Sequence, residues 1–206
     1  MTDDDFAVLI ERGHELRGIE FKPPGPRTDQ LLMARIVRAA LGMANRRDGG
    51  LVIVGVDEST GRPNPIGLAP DALASWSHDD VAATIAASSD PPISIEQEVR
   101  TYHDKRFVVL RVPEFLELPV LAKKDVSVGH NHVVRKGACY VRSFGKPETS
   151  EIPSQTEMRD LLDLAIQKGL RRFVAQAAGA GLITFGPGTP SSSSDQQFRK
   201  QLDDLG

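Results

Sequence analysis

Leu51-Val52-Ile53-Val54-Gly55-Val56 is an unbroken apolar run, and four of its six residues are β-branched. A run this short, with that bias, reads as a buried strand. The residues before it have a different period. Leu32, Ile36, Ala39, Ala40 and Met43 recur at helical spacing, so a helix is expected over residues 29–45, with Thr28 as its N-cap. Gly49-Gly50 then reverses the chain. A helix feeding directly into a buried strand needs other strands and helices to cover both.

The rest of the chain supplies them. Residues 6–16 read as a short helix, and Gly18-Ile19-Glu20-Phe21-Lys22 as a strand stopped by Pro23-Pro24-Gly25-Pro26. Residues 78–88 are helical, with Ser77 as a cap. Ile93, Ile95 and Val99 alternate with polar residues, and Phe107 to Val112 answers them after His103-Asp104-Lys105, which predicts a hairpin. Residues 113–133 read as a long connection, and Ala138 to Phe144 as another alternating strand. Ser154-Gln155-Thr156-Glu157 has the capping-box pattern before an amphipathic helix, with further helix over 170–178. The expected class is α/β (α+β), a compact mixed sheet with helices packed on it. Residues 1–168 would form the domain, 169–185 a helical extension, and 186–206 a flexible Gly/Pro/Ser tail.

Composition narrows the classes. A chain of 206 residues suits one domain, and its single cysteine, Cys139, rules out an internal disulfide framework and Cys-rich zinc sites. No apolar run nears the roughly 20 residues that span a bilayer. The acidic Asp3-Asp4-Asp5 has the wrong sign for a secretory leader, so a soluble cytoplasmic protein is expected.

The formal net charge of -3 argues against a polybasic coat for nucleic acid, yet it hides an asymmetry. Residues 1–20 hold six acids and two arginines, whereas residues 21–50 hold six bases and two acids. Residues 123–146 hold six bases (Lys123, Lys124, Arg135, Lys136, Arg142, Lys146) against Asp125 alone. Arg35, Arg38 and Arg46 read as a solvated helix face. The second cluster is more suggestive, because Tyr140, Arg142 and Phe144 share one strand face, where an aromatic beside an arginine can stack a base and hold a phosphate. Core packing is the competing reading of those aromatics. Lys22, Lys123, Lys124, Arg135, Lys136 and Arg142 are the candidate nucleic-acid-binding residues.

Four motifs in order then stand out. They are Glu15-Leu-Arg-Gly-Ile-Glu20-Phe21-Lys22, Ala44-Asn45 with Asp48-Gly49-Gly50, Val54-Gly55-Val56-Asp57-Glu58 with Gly61, and Tyr140-Val141-Arg142-Ser143-Phe144-Gly145. Together, over roughly residues 11–165, they resemble the Schlafen AlbA_2 domain family. The resemblance implies a nucleic-acid-associated single lobe. It also implies metal-dependent endoribonuclease activity on structured RNA such as transfer RNA, as in some Schlafen proteins, through three carboxylates. Two of these match Glu15 and Glu20. The third falls on Glu58, where the nuclease members carry Asp, with Asp57 as a substitute ligand. The zinc set of vertebrate Schlafen cores is missing here, and their RNA groove is built from two lobes. One lobe would need a homodimer or another partner to make a similar groove.

The carboxylates can also be judged by themselves. Glu15, Glu20, Asp57 and Glu58 offer the hard oxygens that Mg2+ or Mn2+ prefers. Five residues apart, Glu15 and Glu20 face opposite sides of a strand, or lie about 140° apart on a helix. Their convergence therefore needs a bend, which Gly18 can supply. Asp57 and Glu58 follow the buried strand, a common site position in α/β folds. Surface carboxylates near strand ends are also common, and Glu20 has Lys22 close by as an ion-pair partner. Asn45 to Gly50 lacks the pattern of a phosphate loop, His130 and His132 lack a third ligand, and Cys139 reads as packed. Two functions follow as expectations: a metal-dependent endoribonuclease, or a non-catalytic DNA- or RNA-binding module in a regulatory or defence system.

Overall fold

The run from Leu51 breaks at Gly55 (φ +118°), after which Val56 pairs in a separate two-stranded sheet, and Leu51 to Val54 belong to a central strand. In the computed structural model, which describes residues 2–12, 17–59, 61–143 and 148–182, that strand lies in a four-stranded sheet. The elements begin with α1 (Asp3–Arg12), β1 (Ile19–Lys22), α2 (Gln30–Ala44), β2 (Gly50–Val54), β3 (Val56–Asp57) and β4 (Asn64–Pro65). They continue with α3 (Pro70–Ala74), α4 (His78–Ala86), β5 (Ser89–Asp90), β6 (Glu96–Tyr102) and β7 (Lys105–Val112). Last come β8 (Leu121–Ala122), β9 (Val126–Val128), β10 (Asn131–Val134), β11 (Tyr140–Arg142), β12 (Thr149–Glu151) and α5 (Gln155–Gly179).

The main sheet runs β1-β2-β7-β6, with β1 and β2 parallel and the other pairs antiparallel. This is the mixed α/β architecture that the residue pattern indicates. The period of two sorts side chains between two cores. Val52, Val54, Val108 and Leu110 face α2. Ile19, Phe21, Ile53, Phe107 and Val109 face Phe6 and Ile10 of α1. The β6–β7 hairpin turns through His103 and Asp104, both at positive φ (47° and 59°), as a two-residue loop matched to strand twist requires.

Several boundaries differ from expectation. The N-cap of α2 is Asp29, not Thr28, because its Oδ1 accepts from the Leu31 and Leu32 N–H groups at 2.9 and 3.0 Å. The connection over 113–133 is not irregular throughout; it carries β8, β9 and part of β10. The helical stretch beyond 169 is no separate element, since α5 runs unbroken to Gly179. The capping box does form: Ser154 Oγ accepts from the Glu157 N–H at 3.3 Å and donates to its carboxylate at 2.9 Å.

The helix α2 was expected to be amphipathic, yet eleven of its fifteen residues are buried. Such a helix is covered on more than one side. The sheet takes one side, and β9 to β12 pack over the others. Gly42 permits the closest approach, since a Cβ there would strike the Thr149 side chain. The chain divides into two units, Met1–Ile166 and Gln167–Gly206. The first holds all the strands and α1 to α4. The second, over its described residues, consists of the rest of α5 and the turn after it. The expected tail, 186–206, lies outside the described residues. No helix among the described residues is long and apolar enough to cross a membrane.

Gly49 makes the α2–β2 reversal at φ +65°, where a Cβ would collide with the Val112 carbonyl oxygen. Strain and backbone overlap act together there. Gly49→Ala is expected to cost about 2–3 kcal/mol, read from the midpoint of urea unfolding.

Candidate functional site

Glu20 sits mid-strand in β1, flanked by Ile19 and Phe21 that point toward α1. Alternation therefore sends Glu20 and Lys22 to the other face of the sheet. Glu20 is buried there with both carboxylate oxygens engaged. Oε1 pairs with the Lys22 ammonium. Oε2 accepts from Arg142 Nη1 at 2.6 Å and from Thr149 Oγ1 at 2.7 Å. The Arg142 guanidinium is itself buried, and it also donates to the Arg17 and Ile19 carbonyls. One arginine thus ties β1 to β11, and one threonine ties it to β12. Burial alone would raise the pKa of Glu20, but the Lys22 and Arg142 charges and the hydrogen bonds outweigh it and hold the carboxyl below its usual range.

The other proposed carboxylates differ from Glu20 in setting. Glu15 lies outside them, as does Phe144. Asp57 ends β3 half-buried, and both its oxygens are taken by Ser59, from the backbone N–H at 3.0 Å and the hydroxyl at 2.8 Å. These bonds lower its pKa. Glu58 is exposed, and its charge reaches Arg142 together with those of Glu20 and Glu148. Among the described residues, no three His, Cys, Asp or Glu side chains gather where an ion could sit. Glu20 and Asp57 each have protein partners on both carboxylate oxygens.

The basic cluster divides in two. Lys22 and Arg142 are turned inward against Glu20. Lys123, Lys124, Arg135 and Lys136 remain at the surface. Backbone pairing brings these four together. Leu121 bridges Cys139, the Ala122 N–H donates to the Ala138 carbonyl at 2.9 Å, and the Gly137 N–H donates to Ala122 at 2.7 Å. Lys123-Lys124 therefore runs antiparallel beside Arg135-Lys136. Arg135 is clasped by Glu151 through two bonds, at 3.0 and 2.5 Å. The Lys136 N–H donates to Asp125 Oδ1 at 2.9 Å. Tyr140 offers no stacking platform: it is buried, and its hydroxyl oxygen accepts from the Arg135 N–H at 2.9 Å. Cys139 is half-buried, and burial pushes its thiol up to about 11, far from a nucleophile's range.

Two buried polar residues carried no assigned role in the sequence reading. Thr149 is one. Asn45 is the other, buried at the C-terminus of α2. Its Nδ2 donates to the Val120 and Tyr140 carbonyls at 2.8 and 2.9 Å, and its Oδ1 accepts from the Val120 N–H at 2.7 Å. The only signal for Asn45 was its place in the Ala44-Asn45 motif, a polar residue closing an otherwise apolar helix.

Comparison with known proteins follows this geometry. No curated protein matches the sequence. Among solved structures, the DIP2311 protein from Corynebacterium diphtheriae is similar, at 17% identity and a TM-score of 0.47, over 67% of this chain and 22% of that one. The chain thus spans about a fifth of that protein's length. The N-terminal domain of an ATP-dependent DNA helicase RecG-related protein from Nitrosomonas europaea is also similar, at 21% identity and a TM-score of 0.44, over 67% of this chain and 90% of that one. The family model for Schlafen, AlbA_2 matches residues 15–148, which takes in all four motifs. The chain belongs to the Schlafen AlbA_2 family.

Proposed function

We propose that this is a nucleic-acid-binding domain that grips a phosphate backbone through Lys123, Lys124 and Lys136. The supporting observation is the antiparallel pairing that sets Lys123-Lys124 beside Arg135-Lys136 at the surface. Three ammonium groups on one ribbon suit the repeated charge of a backbone, and contacts to phosphate carry no base sequence. The domain would act as a recognition module in a larger regulatory or defence assembly.

The test is binding of labelled transfer RNA, single-stranded DNA and duplex DNA at several salt concentrations. The triple variant Lys123→Ala, Lys124→Ala, Lys136→Ala should bind all its ligands more weakly. Its slope of log affinity against log salt should fall by about 2–3. An unchanged affinity and slope would place the interface elsewhere.

A second reading, metal-dependent endoribonuclease activity with Mg2+ or Mn2+, is favoured by one observation: the Glu58 charge reaches the arginine that holds Glu20. The same RNA is incubated with manganese or with chelator, using the parent chain and Glu58→Gln. Cleavage that disappears with chelator and falls at least ten-fold in the variant supports this reading. Cleavage indifferent to both, or none with any metal, removes it.

A further inference from the structure

The strand β6 forms one edge of the main sheet. Among the described residues it pairs with β7 alone, in unbroken register from Glu96 to Tyr102. Edges of this length are normally blunted by a proline, a lysine or a bulge. The strand β6 has none of these.

The phase of its ladder follows from the hairpin. A two-residue loop makes Tyr102 and Lys105 a hydrogen-bonded pair, so Arg100 with Phe107 and Glu98 with Val109 are hydrogen-bonded pairs too. The residues between them, Gln97, Val99 and Thr101, turn their N–H and C=O groups away from β7. Arg106 has the matching phase: opposite Thr101, it sends its carbonyl the other way, to the Leu68 N–H at 2.8 Å. The outer edge of β6 thus presents a row of backbone donors and acceptors. Val99, at its centre, is 49% exposed.

The side chains say which strand fits that edge. Glu98 and Arg100 stand on the face toward α1, opposite Val109 and Phe107, and they pair with each other. Glu98-Val99-Arg100 is its own complement when reversed. An antiparallel copy centred on Val99 sets Glu98 against Arg100 and Arg100 against Glu98. The neighbouring centres fail: Gln97 or Glu98 sets glutamate against glutamate, and Arg100 sets arginine against arginine.

We propose that β6 pairs with β6 of a second copy of this chain, antiparallel, with the two-fold axis at Val99. Val99 then exchanges both backbone bonds with Val99 of the second copy, and Gln97 does so with Thr101 of the second copy. Glu98 and Arg100 of the second copy fall at a non-hydrogen-bonded pair, where side chains approach most closely, and the four charges alternate. On the other face the two Val99 side chains meet. Every contact off the axis occurs twice, as an isologous interface requires. The two sheets become one continuous sheet, and both outer edges are covered. All these residues belong to the first unit, Met1–Ile166, and the pairing is independent of the nucleic-acid reading.

The test is the association state of the full chain, measured by sedimentation velocity over a concentration series up to roughly 0.5 mM, with circular dichroism as the folding control. The parent chain should be a dimer in reversible exchange with monomer. Val99→Pro should weaken association roughly a hundred-fold and leave the spectrum unchanged, because it removes the donor at the axis and no bond to β7. Glu98→Arg should weaken association roughly ten-fold, and adding Arg100→Glu should restore it. Should Val99→Pro alter the spectrum, the charge swap decides. A parent chain that stays monomeric throughout overturns the proposal. So does a dimer indifferent to a folded Val99→Pro, or a charge swap that fails to restore association.

Discussion

Glu20→Ala is expected to destabilise the domain by about 3–5 kcal/mol, because it leaves the buried Arg142 and half-buried Lys22 without their shared counter-charge. Much of that cost comes from the unpaired cations rather than from the lost pair itself. Arg142→Ala should therefore be far less damaging in the Glu20→Ala background than alone, a coupling that a double-mutant cycle in urea would read. Acid should act through the same group. The Glu20 carboxyl is held below its usual range in the folded state, so its contribution is complete above the unfolded value of about 4.3 and is lost as pH falls through the folded value. The stability gap between the parent chain and Glu20→Gln should be wide at neutral pH and close in that acid window. A gap of constant size down through the window would show that Glu20 is not held as a buried carboxylate.

The second large effect is expected at Asn45. Asn45→Ala strands three polar groups in the interior, the Val120 and Tyr140 carbonyls and the Val120 N–H. Such groups typically cost about 1–3 kcal/mol each, and relaxation around the smaller side chain recovers part of it, so a total of about 3–4 kcal/mol is expected. Asn45→Asp separates hydrogen bonding from shape. The side chain is nearly the same size, but a second oxygen then faces two carbonyl oxygens. Asn45→Asp should be no more stable than Asn45→Ala at neutral pH, as measured by urea unfolding. An aspartate variant close to the parent would mean that shape, not the hydrogen bonds, holds this junction.

These two residues show how the motifs of the chain divide between fold and function. Glu20, read as a metal ligand, is engaged by Lys22, Arg142 and Thr149. Asn45, noticed only as a signature residue, clips the end of α2 to the start of β8, and Gly49, read as a chain reversal, turns the chain into β2. A buried carboxylate with two cationic partners and a solvent-facing ligand have the same letter at the same place in a strand. What distinguishes them is where Arg142 lies, 122 residues away along the chain.

The basic surface divides in the same manner. Lys22 and Arg142 counted equally with Lys123 and Lys124 while only sequence positions were known. Alternation in β1 turns Lys22 toward Glu20, and the approach of β11 brings Arg142 to the same carboxylate. The lysines after β8 and β10 lie on connections, where nothing covers them, and a backbone pairing sets them side by side.

By itself the sequence determined the local elements: the strand at Leu51, the helix before it, the β6–β7 hairpin, the capping box of α5, and the family motifs in order. Each rests on periodicity, turn chemistry or capping, which act within a few residues. Only the tertiary structure decided that α2 is buried nearly all round, that Glu20 and Arg142 meet, and that Lys123-Lys124 lies beside Arg135-Lys136. Those outcomes follow from short strands of two to four residues, over 121–151, folding back across α2. Strands so short carry almost no period of their own, and their place is set by what they cover.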